Sequence, residues 1–295
     1  MSIRKPQLII IGKNGQIGWE LHKLLNAEGN VKALGRDEID LADEQAIRDM
    51  IRHLKPDIVV NAAAYTMVDR AEDEPESAMA VNGRAPGILA EEVKRMNALL
   101  VHYSTDYVFD GTKTTPYTEN DLPNPMNVYG KTKLLGEQAI ESVGGRFLIL
   151  RISWIYGLRG RNFLSTILRL SKEKKELKVV TDQIGAPTWS WEVANATAHM
   201  LTRNEKYDYK SGIYHLSAAG ETSWYGFTKA ILTEISDAGH QVPNLQPVPT
   251  AQFPVKAKRP AYSVLSNVKT NRELDLALPD WDKSLAKAMS DVKFE

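Results

Sequence analysis

Short apolar runs alternate with amphipathic stretches through the first half of the chain. Leu8-Ile9-Ile10-Ile11 is continuously apolar and rich in β-branched residues, the pattern of a strand buried on both faces. Val31 to Leu34, Ile58 to Ala64, Ala98 to Tyr103 and Phe147 to Ile152 repeat that pattern. Between them lie helical spacings, with Leu21, Leu24 and Leu25 in one and Ala46, Ile47, Met50 and Ile51 in the next. A long helix is expected to start in the acidic run Glu72-Asp73-Glu74-Pro75-Glu76, where carboxylates suit the positive helix end. The run itself reads as solvated charge without chemistry. This alternation predicts an α/β fold, a doubly wound parallel sheet over residues 1–157. Beyond it, Leu177 to Val180 and Ile213 to Leu216 read as strands, with helical patterns near 162–174, 191–201 and 222–235. A proline-marked tail runs from Pro243 to Pro260. Residues 158–295 are expected to form mainly a smaller lobe over the strand ends, with some segments returning to the sheet.

The strand ends carry the candidate chemistry, because in an open parallel sheet ligands bind outside the carboxyl ends. The first strand runs into Gly12-Lys13-Asn14-Gly15-Gln16-Ile17-Gly18 and then a helix. A glycine-spaced turn of this kind lets the backbone approach a pyrophosphate, which the helix N-terminus then holds through free N–H groups. The spacing is GxxGxxG rather than GxGxxG, and a tight turn alone would also explain it. After the second strand, Arg36 would accommodate a ribose 2′-phosphate and Asp37 a free 2′-hydroxyl, so NADPH is favoured and NADH stays open. Asp40 and Leu41 either border an adenine or, for Asp40, start the next helix. Small residues at Ala62, Ala63 and Ala64 leave room for a ligand or for tight packing. Thr105, at the end of the fourth strand, is placed to hydrogen-bond a carbonyl. Trp154, at the end of the fifth, would stack on a base, cover a sugar or sit in the core. From Asp110 to Pro125 a loop rich in Gly, Thr, Pro and Asp leads to Tyr129 and, four residues on, Lys133.

On a helix those two side chains share a face. A cation about 4 Å from the phenol would lower its pKa, ordinarily near 10, by up to about three units, toward neutral pH where acid–base catalysis works best. An amphipathic surface pair has the same spacing.

Composition narrows the classes. Lys+Arg and Asp+Glu number 37 each, so the net charge is zero and no basic field for nucleic acid or anionic membrane is expected. There are no cysteines, which excludes disulfides, thiol catalysis and zinc–thiolate sites. The six histidines lack ligand spacing. The apolar start is interrupted at Gly12 and no later stretch is long enough to span a membrane, so a cytoplasmic protein is expected.

GKNGQIGWEL, NAAAYTMVDRAEDEPE, STDYVFDG, PNPMNVYGKTK, RISWIYG and DQIGAPT, in this order and over essentially the whole chain, resemble the extended short-chain dehydrogenase/reductases. More narrowly they resemble the dTDP-4-dehydrorhamnose reductase family. The resemblance implies a Rossmann-type sheet with a C-terminal substrate-binding lobe and NAD(P)H-dependent reduction of the C4 keto group of dTDP-4-dehydro-L-rhamnose to dTDP-L-rhamnose. It implies that Tyr129 is the catalytic acid, Lys133 its partner and a nicotinamide-ribose contact, and Thr105 the hydroxyl that polarises the carbonyl. It places the cofactor along Gly12, Asn14, Gly15, Gln16, Ile17 and Gly18, with Asp40, Leu41, Ala63, Ala64, Tyr65 and Thr66. The sugar nucleotide falls near Val68, Thr105, Asp106, Tyr129 and Trp154. Some members are magnesium-linked dimers through a glutamate after DQxGAPT, but Trp191 stands where that acid is expected and Glu192 comes one residue later. A one-residue step turns a helical side chain by about 100°. No metal bridge is therefore expected, and a homodimer stays open.

Two rival classes share these motifs. A nucleotide-sugar epimerase or dehydratase would retain its NAD, with Asp106 cast as the acid for elimination. A non-catalytic subunit like the regulatory subunit of methionine adenosyltransferase would also retain the Tyr/Lys and DYVFDG motifs, although RISW and DQIGAPT look like the enzyme branch.

Overall fold

The computed structural model describes residues 5–26, 30–203 and 208–292. The chain opens with β1 (Gln7–Ile11), α1 (Gln16–Leu25), β2 (Asn30–Leu34), α2 (Glu44–Leu54) and β3 (Ile58–Asn61). Next come α3 (Val68–Ala71), α4 (Pro75–Ala78), a π-helical turn (Met79–Arg84), α5 (Ala85–Arg95) and β4 (Leu99–Thr105). A long loop leads to α6 (Val128–Val143) and β5 (Arg146–Ile152). The remainder comprises β6 (Ile155–Tyr156), α7 (Phe163–Glu173), β7 (Glu176–Val180), β8 (Ile184–Gly185), β9 (Thr188–Trp189) and α8 (Ser190–Arg203). It ends with β10 (Gly212–His215), β11 (Thr222–Ser223), α9 (Trp224–Asp237), β12 (Asn244–Val248), α10 (Val268–Leu274) and α11 (Trp281–Ser290).

Six strands form one sheet in the order β10-β5-β4-β3-β1-β2, and every neighbouring pair is parallel. All their carboxyl ends therefore lie along one edge. Alternation along each strand divides the core in two. Leu8 and Ile10 pack with Leu21 and Leu25 of α1 and Val193 of α8 on one face. Ile9 and Ile11 pack with Ile47 and Ile51 of α2 and Leu89 and Val93 of α5 on the other. Burying each such side chain is worth about 1.5–3 kcal/mol, and a one-residue slip would exchange the faces. The sheet is thus doubly wound and Rossmann-type. The strand expected at Ile213 joins it, Ile213 pairing with Ile149. A third core, built on Tyr156, Leu164, Trp189, Phe227, Ile231 and Leu285, belongs to the C-terminal half.

Three local expectations are corrected. β3 ends at Asn61, so Ala62 to Thr66 form irregular backbone beyond it. α2 starts at Glu44 because Asp43, not Asp40, caps it by accepting from the Ala46 N–H; Asp40 accepts from Ala42 N in the preceding turn. The acidic run does lead into a long helix, whose backbone stays helical from Pro75 through the π-helical turn to the end of α5 at Arg95. The run is not merely solvated, however. Glu72 accepts the Val128 N–H at the start of α6, and Glu74 accepts from the Tyr65 hydroxyl.

Candidate active site

The turn after β1 is a cradle made by backbone. Gly12 has φ +98°, a region L side chains avoid, and a Cβ there would stand 2.8 Å from Ala63 N. The same turn brings the β1 end against the segment after β3. Gly15 precedes α1 and has no side chain to cap it, so the first N–H groups of that helix stay available to an anion. Ile17, in the first turn of α1, is buried, and Gly18 packs beneath the Gly12 carbonyl. Gln16 accepts a hydrogen bond from Asn162, which also donates to Gly157 O and caps α7. Asn162 is 146 residues from Gln16, and no local spacing pointed to it.

The end of β2 is crowded with charge. Glu38 accepts the Gly35 N–H at 2.6 Å and the Lys13 ammonium at 2.5 Å. That bond is the main reason the Lys13 pKa is raised. Asp37 and Asn14 approach Gly35 from the same side, Arg36 and Asp40 are exposed, and Leu41 is buried. Neither Glu38 nor Lys13 was among the expected site residues, although an acid about 20 residues beyond the glycine turn is the usual ribose reader.

Past β3, the π-helical turn presents Asn82 to the irregular segment that holds Ala63, Ala64, Tyr65 and Thr66. Its side chain accepts from Tyr65 N at 2.8 Å, donates to Tyr65 O at 3.0 Å, and reaches Thr132 Oγ1 of α6 at 3.3 Å. One buried amide therefore ties this segment to the helix carrying Tyr129 and Lys133.

Thr105 ends β4 and Asp106 follows it, both buried. The Thr105 hydroxyl donates to Asp106 Oδ1 at 3.1 Å, and Ser153 donates to Oδ2 at 3.1 Å. Burial still pushes the Asp106 carboxyl up to about 6. Tyr129, in the first turn of α6, meets Tyr107 edge to face with centroids 5.7 Å apart. Its phenol is pushed up to about 12 by the loss of solvent, with the Thr105 hydroxyl opposing the shift. The expected lowering by Lys133 is thus not what the structure gives. Lys133 shares the Tyr129 face, but its Nζ donates to Tyr103 O at 2.6 Å and meets His102 Nε2 at 3.1 Å. Burial pulls Lys133 down to about 8, and Glu137 opposes.

Trp154 has φ +45°, unusual for a bulky residue. It stacks on Trp224 with centroids 3.5 Å apart and packs against Gly185, where a Cβ would fall 2.3 Å from the indole. Val68 opens α3, and beside it Asp69 accepts from Ala257 N and Arg259. The proline-marked tail thus returns to this edge, with Asn127 donating to Lys258 O. On α8, Trp191 lies under the Lys287 ammonium, while Glu192 is buried 3.6 Å from it. Among the described residues no group of three or more acidic or histidine side chains is arranged to hold a metal ion. Among them, too, no helix is long and apolar enough to cross a membrane.

Residues 6–294 match the family model described as the RmlD substrate binding domain. The chain is 46% identical over 294 residues to a dTDP-4-dehydrorhamnose reductase of Burkholderia thailandensis, covering 97% of this chain and 99% of that one. It is 40% identical to the protein of the same name in Salmonella typhimurium, with 97% of each chain covered. A crystal structure of the Bacillus anthracis dTDP-4-dehydrorhamnose reductase in complex with NADP superposes with a TM-score of 0.90 at 34% identity, covering 98% of this chain and 100% of that one.

Proposed function

The chain belongs to the dTDP-4-dehydrorhamnose reductase family, and from that premise we propose how its strand-end edge carries out the reaction. The protein is an NADPH-dependent oxidoreductase that reduces the C4 keto group of dTDP-4-dehydro-L-rhamnose to give dTDP-L-rhamnose. One observation carries the reading: the uncapped start of α1 and the Thr105–Tyr129 pair lie along one edge of the sheet.

The residues fit a dinucleotide, since the turn packs too tightly against Ala63 for a side chain at Gly12 and Gly15 leaves the first N–H groups of α1 uncapped. Gly12, Asn14, Gly15, Gln16, Ile17 and Gly18 would hold its pyrophosphate, Arg36, Asp40 and Leu41 its adenosine, and Ala63, Ala64, Tyr65 and Thr66 the segment nearer the sugar. When bound, NADPH supplies the hydride. Everything else is done by side chains. The high pKa of Tyr129 keeps the phenol protonated at neutral pH, the form a reduction needs at its start. Thr105 turns its hydroxyl from Asp106 to the substrate oxygen, and Tyr129 gives that oxygen its proton as negative charge develops there. The Lys133 ammonium then faces the tyrosinate. Val68, Asp106 and Trp154 border the sugar nucleotide. In this division residues 1–157 hold cofactor and catalytic groups, and 158–295 mainly cover the substrate. A cytoplasmic location fits a chain without cysteines.

The test is nicotinamide absorbance with purified protein, NADPH or NADH in parallel, and dTDP-4-dehydro-L-rhamnose generated in situ. Oxidation should depend on the sugar nucleotide and yield dTDP-L-rhamnose. Cofactor that binds but is never oxidised would defeat the reading.

A further inference from the structure

His102 stands on β4 directly beneath the Lys133 amine, buried and with both ring nitrogens engaged, yet no step of the reduction uses it. Asn61, at the end of β3, decides which nitrogen carries the proton. The Asn61 Oδ1 accepts the Ala63 N–H at 3.2 Å, which leaves its amide nitrogen facing His102 Nδ1 at 3.1 Å. An amide nitrogen can only donate, so Nδ1 is the acceptor and the neutral ring carries its proton on Nε2, a tautomer assigned from these partners. Nε2 in turn lies 3.1 Å from Lys133 Nζ. A protonated Nε2 finds an acceptor there only if Nζ offers a lone pair. Nζ has a hydrogen left for Tyr103 O in either state.

We propose that Asn61 and His102 are positioning residues that bias Lys133 toward its neutral amine, by directing the ring proton at its lone pair, and so set the alkaline limit of the reductase. A hydrogen bond to the neutral form of a group favours that form. The inference deepens the role given to Lys133 above and rests on it. The groups facing the amine are few. From α6 itself, Glu137 favours the ammonium, but its carboxylate is already engaged by Arg151 of β5 and Ser104 of β4. Tyr129 lies one turn earlier on the same helix, and β4 adds Tyr103 through its carbonyl. The ring does not compete for the proton: burial and the neighbouring lysine hold His102 well below its ordinary pKa. It stays neutral, so no net proton is stored in the chain. Burial of Lys133 acts in the same direction as the tautomer.

Asn61→Asp reverses the polarity. A carboxylate at that position accepts, draws the ring proton to Nδ1, and leaves Nε2 as an acceptor that favours the Lys133 ammonium. The experiment uses the full-length protein, with ring nitrogens observed by ¹H–¹⁵N correlation and Lys133 followed through its labelled side-chain carbon. In the unsubstituted protein the ring should be neutral with its proton on Nε2 across the working pH range. In Asn61→Asp the proton should move to Nδ1 and the Lys133 titration should rise by about one pH unit or more. A wild-type ring protonated on Nδ1 overturns the proposal, as does a ring proton that moves without shifting Lys133. If the variant does not fold, the wild-type ring spectrum decides by itself. A Lys133 titration that moves while the alkaline fall of kcat stays in place would instead refute the catalytic reading of Lys133, and the tautomer chain would stand.

Discussion

Two lysines lie along the same strand-end edge, and their surroundings control their charge in opposite ways. Lys13, at the rim beside β2, is partly exposed and meets the Glu38 carboxylate at 2.5 Å, which raises its pKa. Lys133, at the floor between β4 and α6, is buried against a carbonyl and an imidazole, and burial brings it down to about 8. The rim lysine therefore keeps its charge at any working pH, as suits a group that reads a ligand's charge. The floor lysine titrates within the working range, as suits a group coupled to proton transfer. Nearby Asp106 follows the floor's logic, its carboxyl pushed up to about 6 because lost solvent outweighs the hydroxyl donors around it.

Substitutions at the two places should differ in kind. Tyr129→Phe, at the floor, removes the proton donor without touching the cradle, so kcat should fall by roughly 10²–10⁴ while NADP⁺ binding, measured by calorimetry, is unchanged. Equal losses in both would place Tyr129 in the cofactor site instead. Asp106 should appear in the pH dependence of stability. Its folded pKa of about 6 lies above its ordinary value of 3.8, so the folded protein binds more protons between those values. Stability should then fall as pH rises from about 4 to about 6, by on the order of 2–3 kcal/mol, and Asp106→Asn should remove that slope in chemical denaturation. A slope that survives the substitution would assign it to another group. At the rim, Glu38→Gln releases Lys13. Binding of NADP⁺ relative to NAD⁺ should strengthen by a few-fold, up to about tenfold, with kcat little changed. An unaltered ratio would mean that Lys13 and Glu38 do not face the ribose.

What was legible in the sequence follows the same division. The glycine turn, Thr105 at a strand end, and Tyr129 with Lys133 at helical spacing are local patterns, because backbone shape and one helix face are fixed within a few residues. The charge states were not legible. The spacing alone suggested a phenol lowered by its lysine, but the phenol is raised and the lysine turns away, since burial and a partner on β4 outweigh proximity. His102 and Asn61 are 41 residues apart in sequence and meet only because β3 and β4 are neighbours in the sheet. Glu72 looked like solvated charge because its partner, Val128 N, is 56 residues further on. Gly212–His215 could be recognised as a strand, but its place beside β5 depends on the chain returning from the C-terminal half.

The most direct test of this account is kcat against pH for the unsubstituted enzyme, with both substrates saturating. If burial sets the charge of Lys133, turnover should hold through neutral pH and fall on the alkaline side with a midpoint near the lysine's value of about 8. A rate that stays level to about pH 10, where an ordinary lysine loses its proton, would contradict it.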